Sequence, residues 1–314
     1  MKYTCMGVCG TGTIGACLAT LMAGNGMETK VVGHSQQGME RCKALISQNF
    51  QFLVDNGKMT STEMEAAVSL VEIDNNYTIL KDCSFVIEAV AEQVEIKRSI
   101  YEKIEAVVDE NTILASSTSA ITPDNLCENL IHPRRFLVAH PFQPAHLQPM
   151  VELVSSTYTS SEAIANAKNL LEEKLHRQVV VLNKGIPGFI VNRIAQAMFR
   201  ECISMVEDDV ASVDDIDKAI KYAVGMRYAS IGLLEYFDDV GFDLEKNIAE
   251  NVYPSLCNTR DVQPSVLAGI SQGNTGLKTG KGLYNWAAKD VADYQLRKTI
   301  PLLDILDWDF PTKS

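Results

Sequence analysis

The chain has 314 residues, enough for two domains with a sizeable core, and its 46% hydrophobic and 22% charged content is ordinary for a soluble globular protein. A formal net charge of −12 argues against nucleic acid or an anionic membrane as the main partner, since both call for a basic surface. Any anionic ligand is therefore expected to rest on locally placed donors.

The eight cysteines are scattered and none forms a CxxC pair, which argues against a zinc site or a disulfide framework and for a reducing compartment. No signal peptide is expected ahead of the first strand, and no apolar run approaches the roughly 20 residues that span a bilayer. The expectation is a cytoplasmic protein with no metal.

Residues 3–9 read as a short buried strand running into Gly10, Thr11, Gly12, Thr13, Ile14 and Gly15. A helix over 16–24 and a second strand over 29–33 follow. GxGxxG between strand and helix, with the next strand at βαβ distance, is a dinucleotide-binding pattern. Gly10 permits the tight turn, Gly12 lets the backbone approach a pyrophosphate, and Gly15 packs helix against strand. Thr13 and Ile14 open the helix whose free N–H groups face the phosphates. After the second strand an NAD site usually carries an acid for the ribose 2′-hydroxyl, but here the chain reads Gly33, His34, Ser35. His34 is either an exposed loop residue or, with Ser35 and Arg41, a donor to a 2′-phosphate. NADP(H) is accordingly expected to be accepted.

The stretch 36–69 reads as a helical hairpin broken at Asp55, Asn56 and Gly57 and restarted at Thr60 or Ser61. Strands are expected over 68–73, over 84–90 and over 112–116. The second of these is apolar on both faces and carries Glu88. A helix over 94–108 bears Lys97 just beyond Glu92, and the strand over 112–116 delivers the hydroxyl cluster Ser116, Ser117, Thr118 and Ser119. In FLVAHPFQPAHLQPMVELV, His140 stands at the exit of one buried strand and Glu152 inside the next. A His oriented by a carboxylate is a proton acceptor tuned near neutral pH. A helix over 161–175 and a strand over 178–182 close this half. The alternation predicts an α/β, doubly wound, mostly parallel sheet, in which ligands bind at the carboxyl ends of strands. The Gly10 loop, His34, Glu92, Ser117 to Ser119 and His140 all fall at such ends.

Asn183 to Gly188 is the clearest break in the chain. It divides a dinucleotide-binding domain, 1–184, from an all-α domain, 185–314, with helices expected over 190–206, 213–224, 233–239, 244–252 and 264–271. Several are apolar all round, which suggests burial against a second subunit.

Six motifs occur together: the 10–15 loop, VIEAVAEQVEIK at 86–97, ASSTSAI at 115–121, HPFQPAHLQPMVEL at 140–153, PGFIVNR at 187–193 and GLKTGKGLY at 276–284. In this order they resemble the 3-hydroxyacyl-CoA dehydrogenase family over nearly the whole chain. The resemblance implies a Rossmann domain followed by a helical, usually dimer-forming domain, and hydride transfer between NAD or NADP and a 3-hydroxy compound. It implies His140 as general acid and base, Glu152 as its carboxylate partner, and Ser119 and Asn192 as contacts of the reacting oxygen. Glu92, Lys97 and Lys278 match positions that a bound cofactor touches.

The chain also departs from the family pattern. Gln143 stands where the family usually has Asn, and is expected to keep an amide role with altered reach. The stretch AVGMRYA at 223–229 resembles the branch of gulonate dehydrogenase, lambda-crystallin and carnitine dehydrogenase, whose substrates are free 3-hydroxy acids. In that branch Arg227 would hold a substrate carboxylate by charge-assisted bidentate bonds. GLKTGKGLY keeps the acyl-CoA form, so the expected substrate is a 3-hydroxyacyl-CoA of fatty-acid metabolism, with a small free 3-hydroxy acid as the alternative. A non-catalytic dinucleotide-binding protein is a third reading, and the retained His140, Glu152, Ser119 and Asn192 oppose it.

Overall fold

The computed structural model describes residues 5–305, so the start of the expected first strand lies outside the described residues. The chain divides into two compact units: residues through Ile190 with those from Arg297 onward, and Val191–Leu296. The division falls a few residues past the Gly–Pro punctuation, because Phe189 is buried in the first unit's core. Residues 297–305 also group with the first unit, where the sequence reading kept them in the second.

The first unit is built on β1 (Cys5–Cys9), β2 (Glu28–Val32), β3 (Val71–Asp74), β4 (Phe85–Glu88), β5 (Ile113–Ser116), β6 (Phe136–Pro141), β7 (Met150–Ser155) and β8 (Gln178–Leu182). They form one sheet in the order β3-β2-β1-β4-β5-β6-β7-β8. Every neighbouring pair is parallel except β6 with β7. The first-unit helices are α1 (Thr13–Gly24), α2 (Gln36–Asp55), α3 (Ser61–Ser69), α4 (Val94–Glu105), α5 (Pro123–Cys127) and α6 (Ser161–Asn169). Alternation along buried strands sends side chains to opposite faces. Met6, Val8 and Ile87 join α1, α2 and α6 in one core cluster, while Cys9, Val86, Leu114 and Phe136 join Tyr101 of α4 and Leu126 of α5 in the other. The sheet is therefore covered on both faces, a doubly wound Rossmann architecture.

Local differences from the sequence reading have physical causes. The strand expected over 68–73 starts at Val71, because Ala67 is buried on α3 and keeps the helix going to Ser69. The Thr60 restart is a full capping box, in which Glu63 N–H donates to Thr60 Oγ1 at 3.2 Å and Thr60 N–H donates to Glu63 Oε2 at 2.8 Å. The helix expected through 175 gives way to a wider π-type turn over Leu170–Lys174.

His146, in the loop after β6, is 9% exposed, and its Nδ1 has no hydrogen-bond partner. Burial, and secondarily the Arg177 charge, pushes its imidazole down to about 4. The unfolded chain takes up this proton from about pH 6.5 downward, whereas the folded chain resists until about 4. The fold therefore loses stability as pH falls through that window. Replacing His146 by Gln is expected to flatten the fall in Tm between pH 7 and pH 5. An unchanged slope would contradict this.

The second unit is helical: α7 (Val191–Glu207), α8 (Val213–Ala219), α9 (Met226–Ser230), α10 (Leu233–Val240), α11 (Phe242–Val252), α12 (Pro264–Ser271) and the first residues of α13 (Val291–Ile305). Gly225, just past the end of the helix expected over 213–224, sits at φ −63° in helical backbone, so a π-type turn over Ile220–Gly225 links α8 directly to α9. The carboxylates of Glu201 and Glu207 on α7 accept the Cys257 and Ser265 N–H groups, each at 2.8 Å. Among the described residues of this unit only Ile203 and Ile216 are buried hydrophobics, while Leu234 is 83% and Phe242 74% exposed. Among the described residues no helix is long and apolar enough to cross a membrane.

Candidate active site

The nucleotide turn is built by steric demand. Gly10 adopts φ +133°, and a Cβ there would stand 2.3 Å from the Ala89 carbonyl oxygen; at Gly15 it would stand 2.0 Å from that of Gly10. Neither distance is possible, so both glycines are required by the protein itself. Gly12 differs. Nothing lies within 4 Å of its Cβ position, and it caps the start of α1 with no side-chain hydrogen bond. It leaves a cradle at the positive end of a helix dipole, beside exposed Thr13 and half-buried Ile14, and that fits a pyrophosphate. Beyond β2, His34 and Arg41 are exposed. Ser35 Oγ accepts the Gly38 N–H at 3.2 Å and so caps α2, which leaves its hydroxyl proton free to donate.

At the ends of β4 and β5 lies a buried ionic network. Glu88 is fully buried, and its carboxylate is saturated by four donors: Val90 N–H and Lys97 Nζ on Oε1, each at 2.7 Å, and Tyr101 OH and Ser116 Oγ on Oε2, each at 2.8 Å. The Lys97 side chain is 1% exposed and also reaches Glu92 at 3.1 Å. Glu92 in turn accepts the Thr118 hydroxyl and, at 3.2 Å, the Ser119 N–H. Burial alone would raise the Glu92 carboxyl, yet the Thr118 and Lys97 bonds and charge hold it below the usual range. Lys97 is thus neither a solvated charge nor openly presented to a ligand. Its ammonium sits between two carboxylates, with Glu92, 42% exposed at its side chain, on the open side.

The pair foreseen in the next two strands is present. Antiparallel pairing sets His140 of β6 directly opposite Glu152 of β7. Nδ1 of the imidazole lies 2.9 Å from Glu152 Oε2, and the other carboxylate oxygen accepts the Ile190 N–H at 2.8 Å. With Nδ1–H donating to the carboxylate, Nε2 is left with its lone pair. Phe142 and Phe189 pack on the ring at centroid distances of 4.5 and 5.6 Å, and His140 is 5% and Glu152 0% exposed. Gln143 turns its amide oxygen toward Cys17 Sγ of α1 at 3.8 Å.

Because β2, β1, β4, β5 and β6 are adjacent and parallel, the segments carrying Gly10 to Gly15, His34, Glu92, Ser117 to Ser119 and His140 leave the same edge of the sheet, across the switch between β1 and β4. Asn192, Arg227 and Lys278 belong to the second unit. Asn192 is half-buried at the start of α7. Arg227 on α9 lays its guanidinium over the Tyr236 ring, Cζ 4.4 Å from the centroid, and Tyr228 and Phe237 pack edge-on against that ring. Lys278 is exposed in a turn between the positive-φ residues Gly276 and Gly280, on the wall of a cavity of about 930 Å³ that Phe199, Ile270 and Trp286 also line. The sequence reading named Thr118 only as one of a hydroxyl cluster, and passed over Glu88 as a partner of Lys97, and Tyr101 and Tyr236 entirely. The available signal was a lone acid in SFVIEAV, since an acid in a strand buried on both faces needs charged or hydrogen-bonding partners.

A nucleotide cradle with a carboxylate-oriented imidazole along the same sheet edge defines an NAD-dependent oxidoreductase acting on CH–OH groups. The family model for the 3-hydroxyacyl-CoA dehydrogenase NAD binding domain matches residues 5–185, and that for the C-terminal domain matches 188–286. The chain belongs to the 3-hydroxyacyl-CoA dehydrogenase family. It is 34% identical over 225 residues to an L-carnitine dehydrogenase of Oceanobacillus iheyensis, covering 72% of each chain. It is 31% identical to a 3-hydroxybutyryl-CoA dehydrogenase of Mycobacterium tuberculosis, covering 90% of this chain and 98% of that one. A solved structure of 5-formyl-3-hydroxy-2-methylpyridine 4-carboxylic acid 5-dehydrogenase, described as an NAD+-dependent dismutase, superposes with TM-score 0.88 at 26% identity over 97% of this chain and 98% of that one.

Proposed function

We propose that this protein oxidises a small free 3-hydroxycarboxylic acid, reversibly, with His140 as general base and Arg227 holding the substrate carboxylate. The observation that carries the reading is the Arg227 guanidinium. It is stacked by its face on Tyr236, and no carboxylate pairs with it among the described residues. An exposed Arg held by its face in an acidic protein presents its in-plane N–H groups to an anion. The relative named for a pyridine 4-carboxylic acid and the L-carnitine dehydrogenase support this choice over the thioester. A 3-hydroxyacyl-CoA remains the second reading, favoured by the 3-hydroxybutyryl-CoA dehydrogenases at near full-length coverage and by the exposed Lys278 turn.

A nicotinamide cofactor held at the Gly10–Gly15 loop would supply the hydride acceptor for C3. His140 Nε2 takes the 3-hydroxyl proton as the carbonyl forms. Glu152 fixes the imidazole tautomer and stabilises the imidazolium, and the Ser119 hydroxyl and Asn192 amide hold the substrate oxygen. The 10–15 loop, Ser117, Glu92 and Lys278 belong to the cofactor site, with Lys97 expected there by its motif but standing behind Glu92, and the apolar surface of the second unit forms a homodimer. 3-Hydroxybutyrate and 3-hydroxybutyryl-CoA share an acyl group and differ in the carboxylate. Replacing Arg227 by Ala is expected to raise KM about tenfold to a hundredfold for the free acid, the worth of a charge-assisted pair, and to leave the thioester within a few-fold. Equal changes for the two substrates would sink the reading.

His34 and Ser35, in place of an acid, support use of NADP(H) beside NAD(H). The check is the ratio of kcat/KM for the two cofactors. A preference for NADH of a hundredfold or more would contradict it.

A further inference from the structure

The least expected group in the first unit is Glu88. A carboxylate with 0% exposure is costly to bury, and a packed apolar side chain would serve stability at least as well. Its place is kept by four donors from three separate pieces of chain: the Val90 N–H, Lys97 and Tyr101 of α4, and Ser116 of β5. What it secures is a sequence of polar links running outward to the site. Glu88 holds Lys97 at 2.7 Å, Lys97 holds Glu92 at 3.1 Å, and Glu92 accepts the Ser119 N–H at 3.2 Å together with the Thr118 hydroxyl. We propose that Glu88 is a positioning residue that acts through Lys97 and Glu92 to hold the Thr118–Ser119 turn, and with it the Ser119 hydroxyl, where the reaction needs it. The proposal rests on the reading of Ser119 as a contact of the reacting oxygen.

The physical content is rigidity. Two carboxylates share one ammonium that has no other outlet, so any rotation of Glu92 away from Ser119 leaves Lys97 under-paired in a dry site. Removing the Glu88 charge frees Lys97 to draw Glu92 inward and away from the turn.

A double-mutant cycle separates this role from plain structural support. Glu88→Gln, Ser119→Ala and the double variant are compared by kcat with 3-hydroxybutyrate or 3-hydroxybutyryl-CoA, whichever wild type turns over faster. Glu88→Gln is expected to lower kcat about tenfold in the wild-type background and less than about threefold once Ser119 is Ala, since a clamp has nothing left to place. If Glu88→Gln does not fold, Tyr101→Phe, which leaves Glu88 three of its four donors, replaces it in the cycle with an expected effect of about threefold. Equal losses in both backgrounds, or an unchanged kcat, overturn the proposal alone. Full kcat in Ser119→Ala overturns the reading of Ser119 and takes the proposal with it.

Discussion

Replacing His140 by Gln is expected to lower kcat at least a hundredfold while NADH still binds. The imidazole is committed on one side: Nδ1 lies 2.9 Å from a carboxylate that is itself fixed by the Ile190 N–H at 2.8 Å. Only Nε2 remains to take a proton, and a Gln amide has no basic lone pair to replace it. General base catalysis is worth roughly a hundredfold to ten-thousandfold, which sets the lower bound. The Gly10 to Gly15 turn is made by steric contacts with Ala89 and Gly10 and does not depend on the imidazole, so dinucleotide affinity is the internal control. Retention of more than a tenth of wild-type kcat would remove His140 from the role of base.

The largest stability effect is expected at Lys97. Its side chain is 1% exposed, and it is the one cation between the Glu88 and Glu92 carboxylates among the described residues. Lys97→Met keeps the length and removes the charge, leaving Glu88 buried with a neutral neighbour. Breaking a buried pair in this way costs roughly 3–5 kcal/mol, which corresponds to a fall in Tm of roughly 10 °C for a chain of this size class. Thermal melts of the two proteins at neutral pH decide it. A fall of less than about 2 °C would mean that the site repacks or that water reaches Glu88.

How much was legible in advance follows from which signals were local. The strands Met150–Ser155 and Gln178–Leu182 and the helix Pro264–Ser271 appear where the apolar runs and the Pro and Gly flanks put them. The nucleotide turn was legible because its glycines recur at a local spacing, even though the contact that excludes a Cβ at Gly10 comes from Ala89, far along the chain. Helix α13 was not, since Pro301 lies inside it and reads as a stop. Nor was the continuation past Gly225, because the π-type turn that absorbs it is set by packing and not by propensity. At the site, His140 and Glu152 could be foreseen as partners since consecutive strands pair readily. The Glu88 to Ser119 links join positions up to 28 residues apart, through side chains whose types look solvated when read singly. No periodicity reports such a network; only the awkwardness of an acid in a buried strand does.

The antiparallel pairing of β6 with β7 has a consequence for how this sequence tolerates length change. His140 faces Glu152 because of strand register, not because of the path between them. Insertions in the loop over 142–149 can therefore drift while the pair stays intact. A one-residue slip of β7 along β6 is another matter. It would bring Leu153 opposite His140 and turn every side chain of the strand to the other face, exchanging a carboxylate for a hydrocarbon at the imidazole with no substitution at either position. The reactivity of the site is thus framed by a ladder of backbone hydrogen bonds, and a shift of register in that one strand is the change it can least absorb.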